Sequence, residues 1–155
     1  MNKLIKDTRG YSNVFLLFFV FIFLIITTIT IEIYHVYTLK EHIDTEISRG
    51  LNIATDTAML DEYRMSHISK IDFTIAQDTF NDYLHDEMKL NNNMTRIENG
   101  KITYELIIQN VKLENEPVKY EVQGVIKTRP ILIGKLTSID IEIPFKVKAR
   151  NQRFE

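Results

Sequence analysis

The sequence of 155 residues contains no cysteine. This absence excludes a disulfide framework and any site built on a thiol or on a thiolate-bound metal. The sequence also lacks a strong excess of either charge, because beyond residue 34 the acidic residues outnumber the basic ones only slightly. Nucleic acid is therefore not an expected partner, since its binding needs a basic surface. Gly100 and Gly134 are isolated and form no phosphate-binding loop, so we expect no cofactor of that kind.

One long stretch, residues 14–31, contains no charge, glycine or proline. Its only polar side chains are Thr27, Thr28 and Thr30, whose hydroxyls a helix can satisfy on its own backbone. At about 1.5 Å per residue the stretch spans roughly 27 Å, close to the thickness of a hydrocarbon core. We therefore predict a transmembrane helix over residues 14–34, preceded by a cytoplasmic basic leader over residues 1–13.

The flanking charges predict the orientation of this helix. Lys3, Lys6 and Arg9 precede the apolar stretch, and the first basic residue after it is Lys40. Because basic flanks remain in the cytoplasm, we expect a single-pass protein of the cell membrane with residues 35–155 outside.

Two other interpretations of the apolar stretch are less well matched. A cleaved secretory signal has an apolar core of about 7–15 residues and an Ala-x-Ala-like site, whereas this stretch is longer and ends in Thr28-Ile29-Thr30. A buried helix of a soluble protein is disfavoured by the five phenylalanines between Phe15 and Phe23.

Residues 35–155 are expected to form one extracytoplasmic domain of the α+β class. Apolar residues at steps of three and four extend the membrane helix into an amphipathic stalk helix over residues 35–60. The apolar face of this stalk consists of Val36, Leu39, Ile43, Ile47, Leu51, Ala54 and Ala58. Gly50 costs about 1 kcal/mol relative to alanine within a helix, so we expect a bend or close packing against the sheet there.

A second helix is predicted over residues 72–90. Asp72 is a suitable N-cap, and the run Asn91-Asn92-Asn93 favours the end of the helix. Its predicted apolar face consists of Phe73, Ala76, Phe80, Leu84 and Met88.

Over residues 94–150 the apolar period changes to two, which predicts three or four antiparallel strands with one covered and one wet face. Asn99-Gly100 predicts a hairpin, and Pro144 predicts an edge strand or a bulge because it lacks an N–H group. The inward positions are Ile102, Tyr104, Leu106, Ile108, Val118, Tyr120, Val122, Ile126, Ile139, Ile141, Ile143, Phe145, Val147 and Ala149.

Arg9-Gly10-Tyr11, placed directly before the apolar stretch, resembles the junction of prepilin-type signals. The layout is most similar to the TadE/TadG-like minor pilins of tight-adherence pili. The resemblance implies cleavage by a prepilin peptidase between Gly10 and Tyr11. The sequence departs from the family at Phe15, the fifth position after this junction, where the family usually has a glutamate.

The second helix also carries a loose similarity to that family, in the segment from Ala76 to Leu84. As a pilin-like subunit, the chain would pack a membrane-embedded face containing Phe15, Phe19 and Phe23 against neighbouring helices. Its partners would be membrane lipid and other pilin-like or envelope-complex subunits.

Three function classes remain open at this point. The first is a minor pilin or pseudopilin, a structural component of a pilus or secretion apparatus. The second is a membrane-anchored accessory protein that binds a partner in an envelope, conjugation or sporulation complex and is not a filament subunit. The third, a membrane-tethered enzyme, is not expected, because no residue pattern indicates a catalytic site, a metal site or a small-molecule substrate. His35 and His42, for example, are seven residues apart, whereas a metal pair on a helix needs a spacing of four.

Overall fold

The structure, a computed structural model, describes residues 8–59, 70–115, 118–132, 134 and 139–150. Its elements in chain order are α1 (Thr8–Thr57), α2 (Phe73–Asp86), β1 (Thr95–Glu98), β2 (Lys101–Asn115), β3 (Val118–Thr128) and β4 (Ile141–Arg150). The four strands form one antiparallel sheet in the order β1-β2-β3-β4. A long N-terminal helix, a second helix and an antiparallel sheet confirm the α+β class.

Helix α1 runs without interruption through the apolar stretch and the amphipathic stretch that follows it. Its apolar stripe packs into the core from Leu39 to Ala54, Ala58 continues it just beyond the helix, and Val36 is partly buried against the same cluster. The predicted stalk face is therefore confirmed, although the helix ends at Thr57 and not at residue 60.

Gly50 lies where α1 meets α2. A Cβ atom at this position would lie 2.6 Å from Cδ1 of Tyr83, so the two helices approach too closely for a larger residue. The predicted close packing is present, but Gly50 faces the second helix and not the sheet.

Helix α2 begins as predicted and ends earlier than predicted. The Asp72 side chain caps it by accepting the backbone N–H groups of Thr74 and Ile75. The helix ends at Asp86, because Lys89 has a positive φ angle, which a continuing helix cannot adopt.

The buried face of α2 differs from the predicted face at two positions. Phe73 was expected in the core but is exposed, since it lies in the first turn and the helix packs through its later turns. Tyr83 is buried instead, because its ring fills the space that Gly50 leaves on α1. Phe80 contacts Tyr120 of β3 edge to face, with ring centroids 5.6 Å apart, which joins the helix to the sheet.

The sheet follows the predicted alternation over most of its length. Asn99 and Gly100 both have positive φ angles and form the two-residue turn between β1 and β2. A register shift between Ile108 and Asn110 moves the inward positions of β2 from even to odd numbers, so that Val111 lies opposite buried Val122, although 42% of Val111 is exposed. Strand β4 is an edge strand, as Pro144 predicts.

The inward prediction is wrong for Ile102 and Ile139, which are both exposed. The pairing of β2 with β3 begins only at Tyr104, opposite Thr128, and β4 begins only at Ile141. Both isoleucines therefore extend beyond the covered part of the sheet.

Candidate functional site: the apolar half of the long helix and its junction with the sheet

The first half of α1 has no protein cover in the chain. Phe15, Phe19 and Phe23 lie four residues apart on one face of the helix, and each is more than half exposed. The rings of Phe15 and Phe19 contact each other edge to face at 4.8 Å. This apolar surface needs a cover that the chain itself does not supply over its described residues.

The three threonines at the end of the apolar stretch are satisfied within the helix. Thr27, Thr28 and Thr30 each donate a hydroxyl hydrogen bond of 2.8 Å to the carbonyl oxygen four residues earlier. These bonds leave no side-chain donor in the stretch without a partner, which is what an apolar surrounding requires.

Gly10 and Tyr11 lie within α1, near its beginning at Thr8. The expected cleavage between them remains a prediction.

Glu32 connects the apolar half of α1 to the loop that follows β3. It follows the apolar stretch directly, yet only 6% of it is exposed. The backbone N–H of Ile131 donates to one carboxylate oxygen at 3.0 Å, and the N–H of Leu132 donates to the other. A buried carboxylate needs hydrogen-bond donors, and the loop after β3 supplies two of them.

The sheet extends from this junction along the second half of α1, which follows Glu32. Ile141, at the start of β4, lines a groove together with Glu32, Ile33 and Val36. Residues 146–148 of β4 line a second groove with α1 residues from Asp44 to Asp56. Strand β4 therefore runs beside the helix, with its first residue nearest the apolar half.

A partly buried hydrogen bond joins α2 to α1 beside Gly50. The Tyr83 hydroxyl donates to Glu46 at 2.7 Å. Burial, together with this bond, raises the pKa of Tyr83 to about 12, so the hydroxyl remains a donor at neutral pH.

A carboxylate on the outer face of the sheet is unexpectedly buried. Glu121 is 2% exposed and lies among Lys146, Lys148 and Lys119, with N–O distances of 2.9, 3.2 and 3.6 Å. Gln123 also donates to it. The hydrogen bond from Lys146 holds the pKa of Glu121 at about 2, against the opposing effect of burial.

The described residues offer little that could perform chemistry. Among them, no group of three or more His, Asp or Glu side chains is placed to hold a metal ion. His85 contacts the carbonyl oxygen of Leu90 through Nδ1 at 2.9 Å, and His42 is exposed. His67 lies outside the described residues.

Neither Glu32 nor Glu121 is distinguished by the sequence pattern, although both are buried in the fold. The loop itself is indicated by the sequence, because Arg129-Pro130 follows the end of β3. No signal identifies the loop as the partner of Glu32, which lies 99 residues before Ile131. The burial of Glu121 depends on strand register, which fixes which lysines flank it.

By length and composition, the helix from Asn13 to Thr57 is able to cross a membrane, and its most apolar window is not buried by the described residues. Comparison of the chain with protein-family models, curated proteins and solved structures finds no match in any of the three. The TadE/TadG-like resemblance therefore remains a prediction from the residues.

Proposed function

We propose that this chain is a single-pass membrane protein of the TadE-like minor pilin or pseudopilin type, a structural component of pilus or secretion-apparatus assembly. The observation that carries the proposal is the division of α1 into two halves. One half is apolar and uncovered, and the other half forms part of the core of a small α+β domain. A subunit built in this way couples its membrane helix rigidly to its outer domain.

The leader and the membrane face support the assembly role. In this proposal the basic leader remains in the cytoplasm and a prepilin peptidase cleaves after Gly10. Phe15, Phe19 and Phe23 then form the face that packs against neighbouring helices in the membrane.

Mass spectrometry of the N-terminus tests the processing step. The chain is expressed with and without a prepilin peptidase, and the proposal predicts a mature N-terminus at Tyr11 only when the peptidase is present. An intact leader in both samples contradicts the processed form.

Phe15 favours a second candidate, an anchored accessory protein that binds a partner and does not enter a filament. The glutamate usual at this position in TadE/TadG-like proteins is missing, so subunit packing that depends on it is not available. A photocrosslinker at Phe19 separates the candidates in cells that assemble the complete apparatus. A filament subunit yields adducts with itself or with another pilin, whereas an accessory protein yields adducts with a polytopic or other non-pilin component.

A further inference from the structure

Four apolar side chains are exposed at one end of the sheet. Their exposed fractions are 68% for Ile102, 46% for Ile131, 38% for Leu132 and 59% for Ile139. Strand register places them together, because β2 pairs with the end of β3 from Tyr104 onward and β4 begins opposite the same residue, Thr128. We call these four residues the apolar rim.

The rim lies at the end of the sheet nearest the apolar half of α1. Glu32 holds the backbone of Ile131 and Leu132 directly at the end of the apolar stretch. The groove shared by Ile33, Val36 and Ile141, about 380 Å³ in volume, continues the apolar surface from the helix toward β4.

The depth of the rim follows from helix geometry. Residues 14–31 span roughly 27 Å, so when they cross a hydrocarbon core, Glu32 lies at its outer boundary. The loop that Glu32 holds then lies at the same level, in the interfacial region. Exposed isoleucine and leucine side chains are favoured there because they leave water for an apolar surrounding.

We propose that the apolar rim inserts into the outer interface of the lipid bilayer and gives the domain a second membrane contact beside α1. This inference depends on the proposed membrane anchoring. With both contacts made, the domain is fixed against the bilayer surface, and this end of the sheet contacts lipid and not a protein partner.

Fluorescence quenching by brominated lipids tests this proposal, because the sequence contains no tryptophan and each variant then has one probe. The full chain is reconstituted at low density in phosphatidylcholine vesicles with bromine either near the headgroup or deep in the acyl chains. Leu132→Trp reports on the rim, and Ile139→Trp is a second rim probe in case the first variant folds poorly. Phe23→Trp reports on the middle of the membrane helix.

Val111→Trp is the matched control. Val111 is an exposed apolar residue of β2, nine positions beyond Ile102 and therefore about 30 Å farther along the strand. If the domain merely adsorbed to vesicles without a fixed orientation, Val111→Trp would be quenched as much as the rim probes.

The proposal predicts that shallow bromine reduces the fluorescence of the rim probes, that deep bromine reduces that of Phe23→Trp most, and that Val111→Trp is unaffected by both. Quenching at Phe23→Trp without quenching at either rim probe overturns the rim contact and leaves the anchor. If a second copy or another protein covers the rim, the rim probes are likewise not quenched, and this outcome also overturns the lipid contact. Absence of quenching at Phe23→Trp overturns the proposed anchoring itself.

Discussion

The Glu32 carboxylate accepts backbone hydrogen bonds from residues 99 and 100 positions later in the chain. Such charge-assisted bonds each contribute about 1.5–3 kcal/mol when the acceptor is buried. This carboxylate holds a short loop, whereas the sheet beyond the loop is held by its own ladders and core. A change at Glu32 therefore acts on local opening of the loop more than on global unfolding.

We expect Glu32→Ala to accelerate amide hydrogen exchange at Ile131 and Leu132 by roughly tenfold or more, since each 1.4 kcal/mol corresponds to a factor of ten. Exchange in the centre of β3 should be nearly unchanged. Glu41→Ala is the control, because Glu41 is exposed on the same helix and accepts a bond only from nearby groups such as the Tyr37 hydroxyl. Equal exchange at the loop in both variants would show that Glu32 does not hold it.

Gly50 gives a second prediction at the residue scale. Alanine in a helix interior is normally favoured over glycine by about 1 kcal/mol. Here the added Cβ would meet the buried Tyr83 ring at 2.6 Å, so we expect Gly50→Ala to lower the free energy of unfolding by about 1–3 kcal/mol.

A double-mutant cycle followed by denaturant unfolding checks the cause of that loss. In a Tyr83→Ala background the clash is removed, and Gly50→Ala should become stabilising by about 1 kcal/mol. If Gly50→Ala were equally destabilising in the parent chain and in the Tyr83→Ala background, contact with Tyr83 would not be the reason that position 50 requires glycine.

At the scale of the elements, strands β3 and β4 are joined on their outer face by one carboxylate and the lysines around it. Glu121 lies opposite Lys148 in the register, and Lys146 donates to it from the same strand as Lys148. Strand β4 is an edge strand, so this cluster supplements backbone pairing that is available on one side only.

The lowered pKa of Glu121 predicts a pH dependence of stability. Its ordinary value of 4.5 falls to about 2 in the fold, mainly through the bond from Lys146. The ionised group therefore stabilises the fold fully above pH 4.5, and this contribution is lost as the pH falls toward 2.

Unfolding of Glu121→Gln as a function of pH measures this contribution. The variant should be less stable than the parent chain at pH 7, and the difference should shrink through pH 4.5 and vanish near pH 2. Glu142→Gln, at an exposed position of β4, should show little difference at any pH. A constant difference between Glu121→Gln and the parent chain would contradict the lowered pKa.

The elements themselves are largely predictable from periodicity, because a single buried face imposes its spacing on the sequence. The apolar face of α1 from Leu39 to Ala54 and the alternation of β4 from Ile141 are of this kind. The end of α2 differs from the prediction because Lys89 adopts a positive φ angle and the N–H of Leu90 donates to the carbonyl oxygen of Leu84, and periodicity carries no signal for this cap.

The junction and the rim could not be predicted in the same way. The contact of Glu32 with the loop after β3 joins distant parts of the chain, and only the packed arrangement of α1 against the sheet brings them together. Ile102 and Ile139 continue the apolar alternation of their strands, so the pattern places them inward although the core ends before them.

At the scale of the whole molecule, α1 is one continuous helix of 50 residues, whose first half is apolar and uncovered and whose second half packs in the core of the domain. Any displacement of the apolar half is transmitted to the sheet, because α1 is held by the core from Leu39 to Ala54 and by the loop at Glu32. In the proposed function this coupling allows packing of helices within the membrane to determine the orientation of the outer domains.

The central claim is that residues 14–31 cross the membrane once and leave the α+β domain outside. Since the sequence contains no cysteine, Lys112→Cys and Ser12→Cys each provide one label site, on either side of the apolar stretch. In cells that express the full chain, a membrane-impermeant maleimide should label Lys112→Cys in intact cells and Ser12→Cys only after permeabilisation. Labelling of Ser12→Cys in intact cells, or of Lys112→Cys only after permeabilisation, would contradict the claim.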